Sequence, residues 1–218
     1  TIRKSAPRVA FRNAFKDSEG KKKGRKGLHE FYSGWDAITR ISEGNPRWLI
    51  ATINSLYDSI VSNEIINQEI QYHKVKAASE AYSSMLATTA LTNNMGITTT
   101  QAPFKIIKKI ALYFNDVLIN KEFRQDPPGT FLIDNKTQKD VEMALRIALN
   151  HGAIVSLDHD LDFQNYKSLY NKRFRLSYLL SPTLMLPLRM EKSINLSNIL
   201  LGHQPTEDTI VVQEDIFL

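Results

Sequence analysis

Apolar residues recur at three- and four-residue spacing through most of the chain, a pattern that predicts a mainly α protein with a small β-hairpin. Ser33 stands where a helix cap belongs, ahead of a short helix with Trp35, Ile38 and Ile41 on one face. Gly44-Asn45-Pro46 interrupts that helix, and Pro46 suits the first turn of the next one. In this second helix Leu49, Ile53, Leu56, Tyr57 and Ile60 form a stripe expected to be buried. A longer helix is predicted over residues 63–91, with Ile66, Ile70, Ala77, Ala81 and Met85 facing inward.

Asn93-Asn94-Met95-Gly96, a threonine run and Pro103 mark a boundary. Beyond it a helix is predicted over 104–123, with Ile107, Ile110, Ala111, Phe114 and Leu118 on one face. Asp126-Pro127-Pro128-Gly129 reads as a turn, and 130–133 as a short strand. Thr137 and Asp140 resemble a capping box, with Asp standing in for the usual Glu. The helix they open buries Val141, Ala144, Leu145, Ala148 and Leu149, and Gly152 supplies a left-handed stop after His151. Two strands, 153–157 and 173–180, joined by a long polar loop, complete the order helix, strand, helix, hairpin of a winged helix. No internal repeat is visible.

Composition narrows the chemistry. With 218 residues and 42% apolar side chains the chain can bury a sizeable core. The absence of cysteine excludes disulfides, cysteine-ligated zinc or iron–sulfur centres and a thiol nucleophile, and it fits a reducing, cytoplasmic setting. No apolar run approaches the roughly 20 residues that span a bilayer, so no membrane partner is expected. Thr1 in place of an initiator methionine fits either methionine removal or a segment of a longer protein.

The net charge of +5 is unevenly spread. Residues 1–27 hold 10 Lys/Arg against 2 acidic residues, which leaves 18 basic and 21 acidic side chains elsewhere. Lys21, Lys22, Lys23, Arg25 and Lys26 lie in a Gly/Ser/Lys tract without apolar residues, which reads as a flexible loop. Such a tract fits a polyanion contact, and equally a solvated loop or a connection to further sequence.

The sharpest local feature is Gly44-Asn45-Pro46-Arg47, a turn that sets an arginine in the first turn of a helix beside Trp48. A cation there opposes the helix dipole by roughly 0.3–1 kcal/mol, so the arginine is either a surface residue that follows a turn or one aimed at an anion. From Ser33-Gly34-Trp35 through Ile41-Ser42-Glu43-Gly44-Asn45-Pro46-Arg47-Trp48-Leu49-Ile50 the sequence resembles the lid of AAA+ ATPases related to origin-recognition and archaeal initiator proteins. In that group a Gly-x-x-Arg motif opens a lid helix, and its arginine, sensor 2, reaches the terminal phosphate of the nucleotide. The resemblance implies that role for Arg47, and it implies a helical connector and a C-terminal winged helix after the lid. Lys172-Arg173-Phe174-Arg175-Leu176-Ser177-Tyr178-Leu179-Leu180-Ser181-Pro182 and Leu186-Pro187-Leu188-Arg189 are similar to the C-terminal part of bacterial members. The implied division is a basic leader over 1–27, lid and connector over 28–95, a winged-helix-like domain over 96–202 and a tail over 203–218. That tail alternates acidic and β-branched residues and fits an added edge strand or a docking segment.

One departure is decisive. The sequence contains no G-x-x-x-x-G-K-[ST] loop and no apolar strand ending in paired acidic residues, so ATP and Mg2+ are expected only together with a nucleotide-binding module supplied from elsewhere. The resemblance then implies a C-terminal part of an ATPase that couples nucleotide state to DNA or partner binding, or acts in a bacterial defence assembly. Homo-oligomers are common among such relatives. The alternative is a free-standing winged-helix module that contacts nucleic acid or protein without nucleotide.

For DNA, the expected contacts are Lys139 and Arg146 on the presumed recognition helix and Lys172, Arg173 and Arg175 on the wing, with the 21–26 cluster. Asp158-His159-Asp160-Leu161-Asp162 on the other flank would repel phosphate. As a metal site that run lacks a completing Gly or Glu, and it reads as a solvated wing tip. No His-x-x-x-His pair and no Gly-x-Ser-x-Gly is present, so neither a metal centre nor a catalytic residue is expected.

Overall fold

The computed structural model describes residues 2–16, 28–62, 65–89, 101–158 and 168–202. The basic cluster Lys21, Lys22, Lys23, Arg25 and Lys26, the acidic stretch from His159 to Asp162, the boundary at Asn93–Gly96 and the 203–218 tail fall outside them. Among the described residues the protein is mainly helical with one small mixed sheet.

Helix α1 (Ile2–Phe15) is followed by a 3-10 turn (His29–Phe31), α2 (Trp35–Ile41), α3 (Pro46–Val61) and α4 (Gln68–Ala87). Next come α5 (Pro103–Asn115), which runs on as a π-helical turn (Asp116–Asn120), and strand β1 (Pro128–Leu132). Helix α6 (Lys139–Asn150), β2 (Ile154–Ser156) and β3 (Arg173–Leu176) follow. A 3-10 turn (Tyr178–Leu180), α7 (Ser181–Leu184), β4 (Lys192–Asn195) and α8 (Leu196–Gly202) complete the order.

Helix starts are set by local chemistry. Asn45 caps α3 by accepting the Arg47 amide at 3.0 Å, and Pro46 sits in the first turn, where no amide donor is needed. Asn67 caps α4 through the Ile70 amide at 2.9 Å. Neither Ser33 nor Thr137 acts as the expected cap. Gly34, at φ +85°, precedes α2 and donates its amide to Gln71 at 2.8 Å. The Thr137 hydroxyl instead donates to buried Asp134 at 2.9 Å, because that carboxylate is the stronger acceptor within reach.

The sheet is larger than a hairpin. Its order is β2-β3-β1-β4, with β1 antiparallel to β3 (Phe131 opposite Phe174) and parallel to β4 (Phe131 opposite Ile194). Strand β4 had no readable signal, since Lys192-Ser193-Ile194-Asn195 contains a single apolar residue. The β2–β3 pair is the expected hairpin, with Val155 opposite Arg175, but β3 ends at Leu176 where Ser177 caps the next turn. Phe131 and Phe174 are fully buried, with ring centroids 6.0 Å apart, and pack into the core that α5 and α6 cover. The α5 stripe is buried as expected, and the helix ends at the π turn before Phe123, which is exposed.

Residues 2–15 of the basic leader, to which the hydrophobic pattern assigned no element, form a helix: Phe11 of α1 packs edge-on against Phe31 at 5.0 Å and against Tyr32 at 6.5 Å. Three expectations fail on which side faces inward. In α4 the buried face is Tyr72, Val75, Ser79, Tyr82, Ser83 and Leu86, while Ala77, Ala81 and Met85 are exposed. Tyrosine carries more apolar area than alanine, and Ser79 is satisfied by the Thr183 hydroxyl at 2.7 Å, so the polar-looking face wins the core. In α3 the stripe expected to be buried faces out: Ile53, Tyr57 and Ile60 are exposed, beside Ile50 and Val61, and only Leu49 and Leu56 are half-buried. Trp35 of α2 is also exposed, whereas Ile38 and Ile41 are buried.

Candidate functional site

The turn between α2 and α3 gathers the site. Glu43 (φ +54°) and Gly44 (φ +67°) are consecutive left-handed residues that reverse the chain direction. For a glutamate that conformation costs about 1–2 kcal/mol and needs compensation from its surroundings. The compensation comes from the sheet side. Arg175 Nη1 and Nη2 donate to the two Glu43 oxygens at 2.6 and 2.7 Å, and the Tyr178 amide donates to the same carboxylate. The Arg175 guanidinium lies 4.0 Å from the Tyr178 ring centroid. Burial works against the Arg175 cation, but hydrogen bonding and charge from Glu43 outweigh it and push its pKa above the ordinary value.

Arg47 projects from the other end of the turn. Its side chain is exposed and has no ion pair or hydrogen-bond partner among the described residues. The next residue, Trp48, meets Tyr82 edge-on at 5.4 Å. The Tyr82 hydroxyl donates to the His151 carbonyl at 2.7 Å, at the C-terminal end of α6. Burial raises the Tyr82 pKa well above its ordinary value, so the hydroxyl stays a donor at any working pH. The 43–48 turn therefore meets β3 and its following turn directly, and the end of α6 only through Tyr82 of α4.

Of the residues expected to contact DNA, the two arginines on β3 are ion-paired. Arg175 is consumed by Glu43, so it is not a free phosphate contact. Arg173 is paired as well: its Nε and Nη2 donate to Asp158 at 3.0 and 2.9 Å, and its amide to the same carboxylate at 2.8 Å. Burial alone would raise the Asp158 pKa, but these Arg173 donors hold it below the usual carboxylate range. Asp158 thus neutralises Arg173 rather than presenting bare charge. Lys172 is half-buried. On α6, Val141, Glu142, Ala144, Leu145, Ile147 and Ala148 are all buried, which leaves Lys139, Asp140, Met143, Arg146, Leu149 and Asn150 wholly or partly accessible, with Asp140 offsetting one of the two cations. Glu142 is buried because it accepts the Leu169 amide at 2.9 Å and so pins the return of the β2–β3 loop.

Two of the leader's arginines, Arg8 and Arg12, also turn inward. Arg8 Nε donates to both Glu191 oxygens at 2.9 Å, and its Nη1 donates to the Gln125 carbonyl. Hydrogen bonding to Glu191 is the main reason its pKa lies above the ordinary arginine value, with burial opposing. Glycine at 129 is required here, since a Cβ would lie 2.7 Å from that of Glu191. Arg12 donates to the Leu118 carbonyl at 3.1 Å. Sequence reasoning missed Glu43 as the anchor of this turn; the available signal was an acidic residue beside a glycine in a two-residue reversal.

A family model described as ORC-CDC6-like matches residues 1–196. The chain belongs to the ORC-CDC6-like family, an origin-recognition-like AAA+ ATPase relationship, and is an AAA+ ATPase-related region. No curated protein and no solved structure matches it. ATP and Mg2+ are the general cofactors of AAA+ ATPases. None of the described helices is long and apolar enough to cross a membrane.

Proposed function

We propose that this chain supplies the lid and a winged-helix-like part of an origin-recognition-like AAA+ ATPase, with Arg47 reaching the terminal phosphate of the bound nucleotide. The observation that carries the reading is the 43–47 turn. One end presents a guanidinium without a partner among the described residues, and the other is clamped by Arg175 and Tyr178. Guanidinium geometry suits two phosphate oxygens at once, and an accessible arginine beside an exposed apolar helix face is what a lid lying on a nucleotide-binding module requires.

A single arginine can contact a phosphate but cannot hold a nucleotide. With no phosphate-cradling loop in the sequence, ATP and Mg2+ would be held by a separate nucleotide-binding module, and Arg47 would add one phosphate contact there. What the residues of this chain contribute is orientation. A shift of Arg47 moves the turn as a unit, because Glu43 and Trp48 are fixed on either side of it. The movement reaches β3 through Arg175 and the end of α6 through Tyr82. The antiparallel β1–β3 and β2–β3 pairing supports the winged-helix part of the reading. DNA or a protein partner would then meet Lys139, Met143, Arg146 and Asn150, together with Lys172.

The test is ATP hydrolysis by the assembly that contains this chain. Arg47→Lys keeps the charge and loses the bidentate fork, so hydrolysis should fall about tenfold or more. Unchanged hydrolysis refutes the sensor role.

A further inference from the structure

Three metal-binding side chains from two separate elements converge on the surface beside Tyr72. His29 opens the first 3-10 turn, and Glu69 and His73 lie one turn apart at the start of α4. One ligand atom from each, two imidazole nitrogens and a carboxylate oxygen, all lie within 4.8 Å of one another. His73 Nε2 and Glu69 Oε1 are 3.9 Å apart, too far for a hydrogen bond.

The backbone that delivers these groups is fixed. Leu28 and Tyr32, on either side of the His29 turn, are buried, and the Tyr32 hydroxyl donates to the Leu186 carbonyl at 2.8 Å. The His29 ring packs 5.0 Å from the Tyr72 ring and 6.0 Å from that of His73. The Asn67 cap sets the start of α4, and the Gly34–Gln71 hydrogen bond ties the loop after His29 to the same helix. A surface pair would need only Glu69 and His73, yet a third group arrives from a segment 40 residues upstream.

Tetrahedral zinc with bonds of about 2.0–2.2 Å holds its ligand atoms roughly 3.4 Å apart. Small rotations of exposed Glu69 and His73 close the present spacing to that value. Two neutral imidazoles and one carboxylate form a borderline donor set, suited to Zn2+ and neighbouring transition ions and unsuited to Mg2+ or Ca2+, which take oxygen ligands. We propose that His29, Glu69 and His73 form a surface Zn2+-type site with one coordination position open, which clamps the His29–Phe31 turn to α4. Sequence reading looked for His-x-x-x-His and could not see it, because the helical pair here is Glu-x-x-x-His and the third ligand is remote.

The test uses the full 218-residue chain stripped of metal and titrated with Zn2+ by calorimetry, then with Co2+ by visible absorption. The expected result is one equivalent bound with a micromolar dissociation constant, and cobalt bands of low-coordinate intensity. Glu69→Gln and His73→Asn, both at exposed positions, should each weaken binding about tenfold or more, as should His29→Ala, while His151→Gln leaves it unchanged. Mg2+ and Ca2+ should not compete. No uptake at about 1 mM Zn2+ overturns the site, as does binding that survives Glu69→Gln and His73→Asn together.

Discussion

The contact that joins the 43–47 turn to the sheet can be measured as a coupling energy. Glu43 and Arg175 side chains are 18% and 13% exposed, so water reaches the pair only partly. Removing one partner of a fully buried pair costs about 3–5 kcal/mol, and a charge-assisted hydrogen bond is worth about 1.5–3 kcal/mol. With this residual exposure, Glu43→Gln and Arg175→Met should each destabilise the protein by about 2–3 kcal/mol. The double variant should cost much less than the sum, with a coupling of about 1.5–2 kcal/mol, because Glu43 without Arg175 is already a poorly compensated charge. Backbone strain adds a second signature. Glu43 is left-handed, so Glu43→Gly should be less destabilising than Glu43→Ala by about 1 kcal/mol. Urea unfolding, followed by far-UV circular dichroism and by tryptophan fluorescence, reads both effects. Trp48 lies against Tyr82 while Trp35 is already exposed, so the fluorescence change on unfolding comes mainly from the α3 region, whereas dichroism reports all helices. A coupling below about 0.5 kcal/mol would mean that the turn and the sheet are merely adjacent, and the transmission argument would fall.

Two further outcomes follow from the same structure. Burial opposes ionisation of Asp134, but the Ser197 hydroxyl and amide and the Thr137 hydroxyl donate to it and hold its pKa below the usual carboxylate range. A depressed folded-state pKa means that its stabilisation is complete above about pH 5 and is lost as pH falls through the folded value. Asp134→Asn should therefore flatten the acid limb of stability against pH, and an unchanged limb in urea titrations would contradict the assignment. On α3, Ile50→Ser and Tyr57→Ser should each change stability by no more than about 0.5 kcal/mol, against about 2–5 kcal/mol for comparable truncation in a core; thermal unfolding decides between them.

Helix positions and period were legible in the sequence wherever a stripe was strongly apolar, and the phase was not. In α5 every residue of the expected stripe is buried, because Ile107, Ile110 and Phe114 leave no competing face. In α4 two faces competed: alanines and a methionine on one, tyrosines and serines on the other. The second won through hydroxyl partners that lie more than 60 residues away, Tyr82 to His151 and Ser79 to Thr183. No local pattern encodes such partners. The same holds for the site: the motif around Arg47 was readable, but its anchoring through Glu43 to Arg175 spans 132 residues. Arg173 and Arg175 looked like free wing cations only because their carboxylates could not be seen beside them.

The misplaced face of α3 carries the most information. A helix folded for this chain alone would turn Ile50, Ile53, Tyr57 and Ile60 toward the core. Here Thr52 and Ser59 occupy the buried side, and the Ser59 hydroxyl finds no hydrogen-bond partner among the described residues. An unsatisfied buried hydroxyl costs about 1–3 kcal/mol, and exposing four large apolar side chains forgoes further stabilisation. Helix α3 is held in this phase from its N-terminal end, by the Asn45 cap, the Glu43–Arg175 clamp and Trp48 on Tyr82. The orientation that costs the isolated chain stability also sets the apolar face beside Arg47. Both features have a single explanation if that side of α3 is built to meet a nucleotide-bearing partner surface, and neither has one if it is built to meet water.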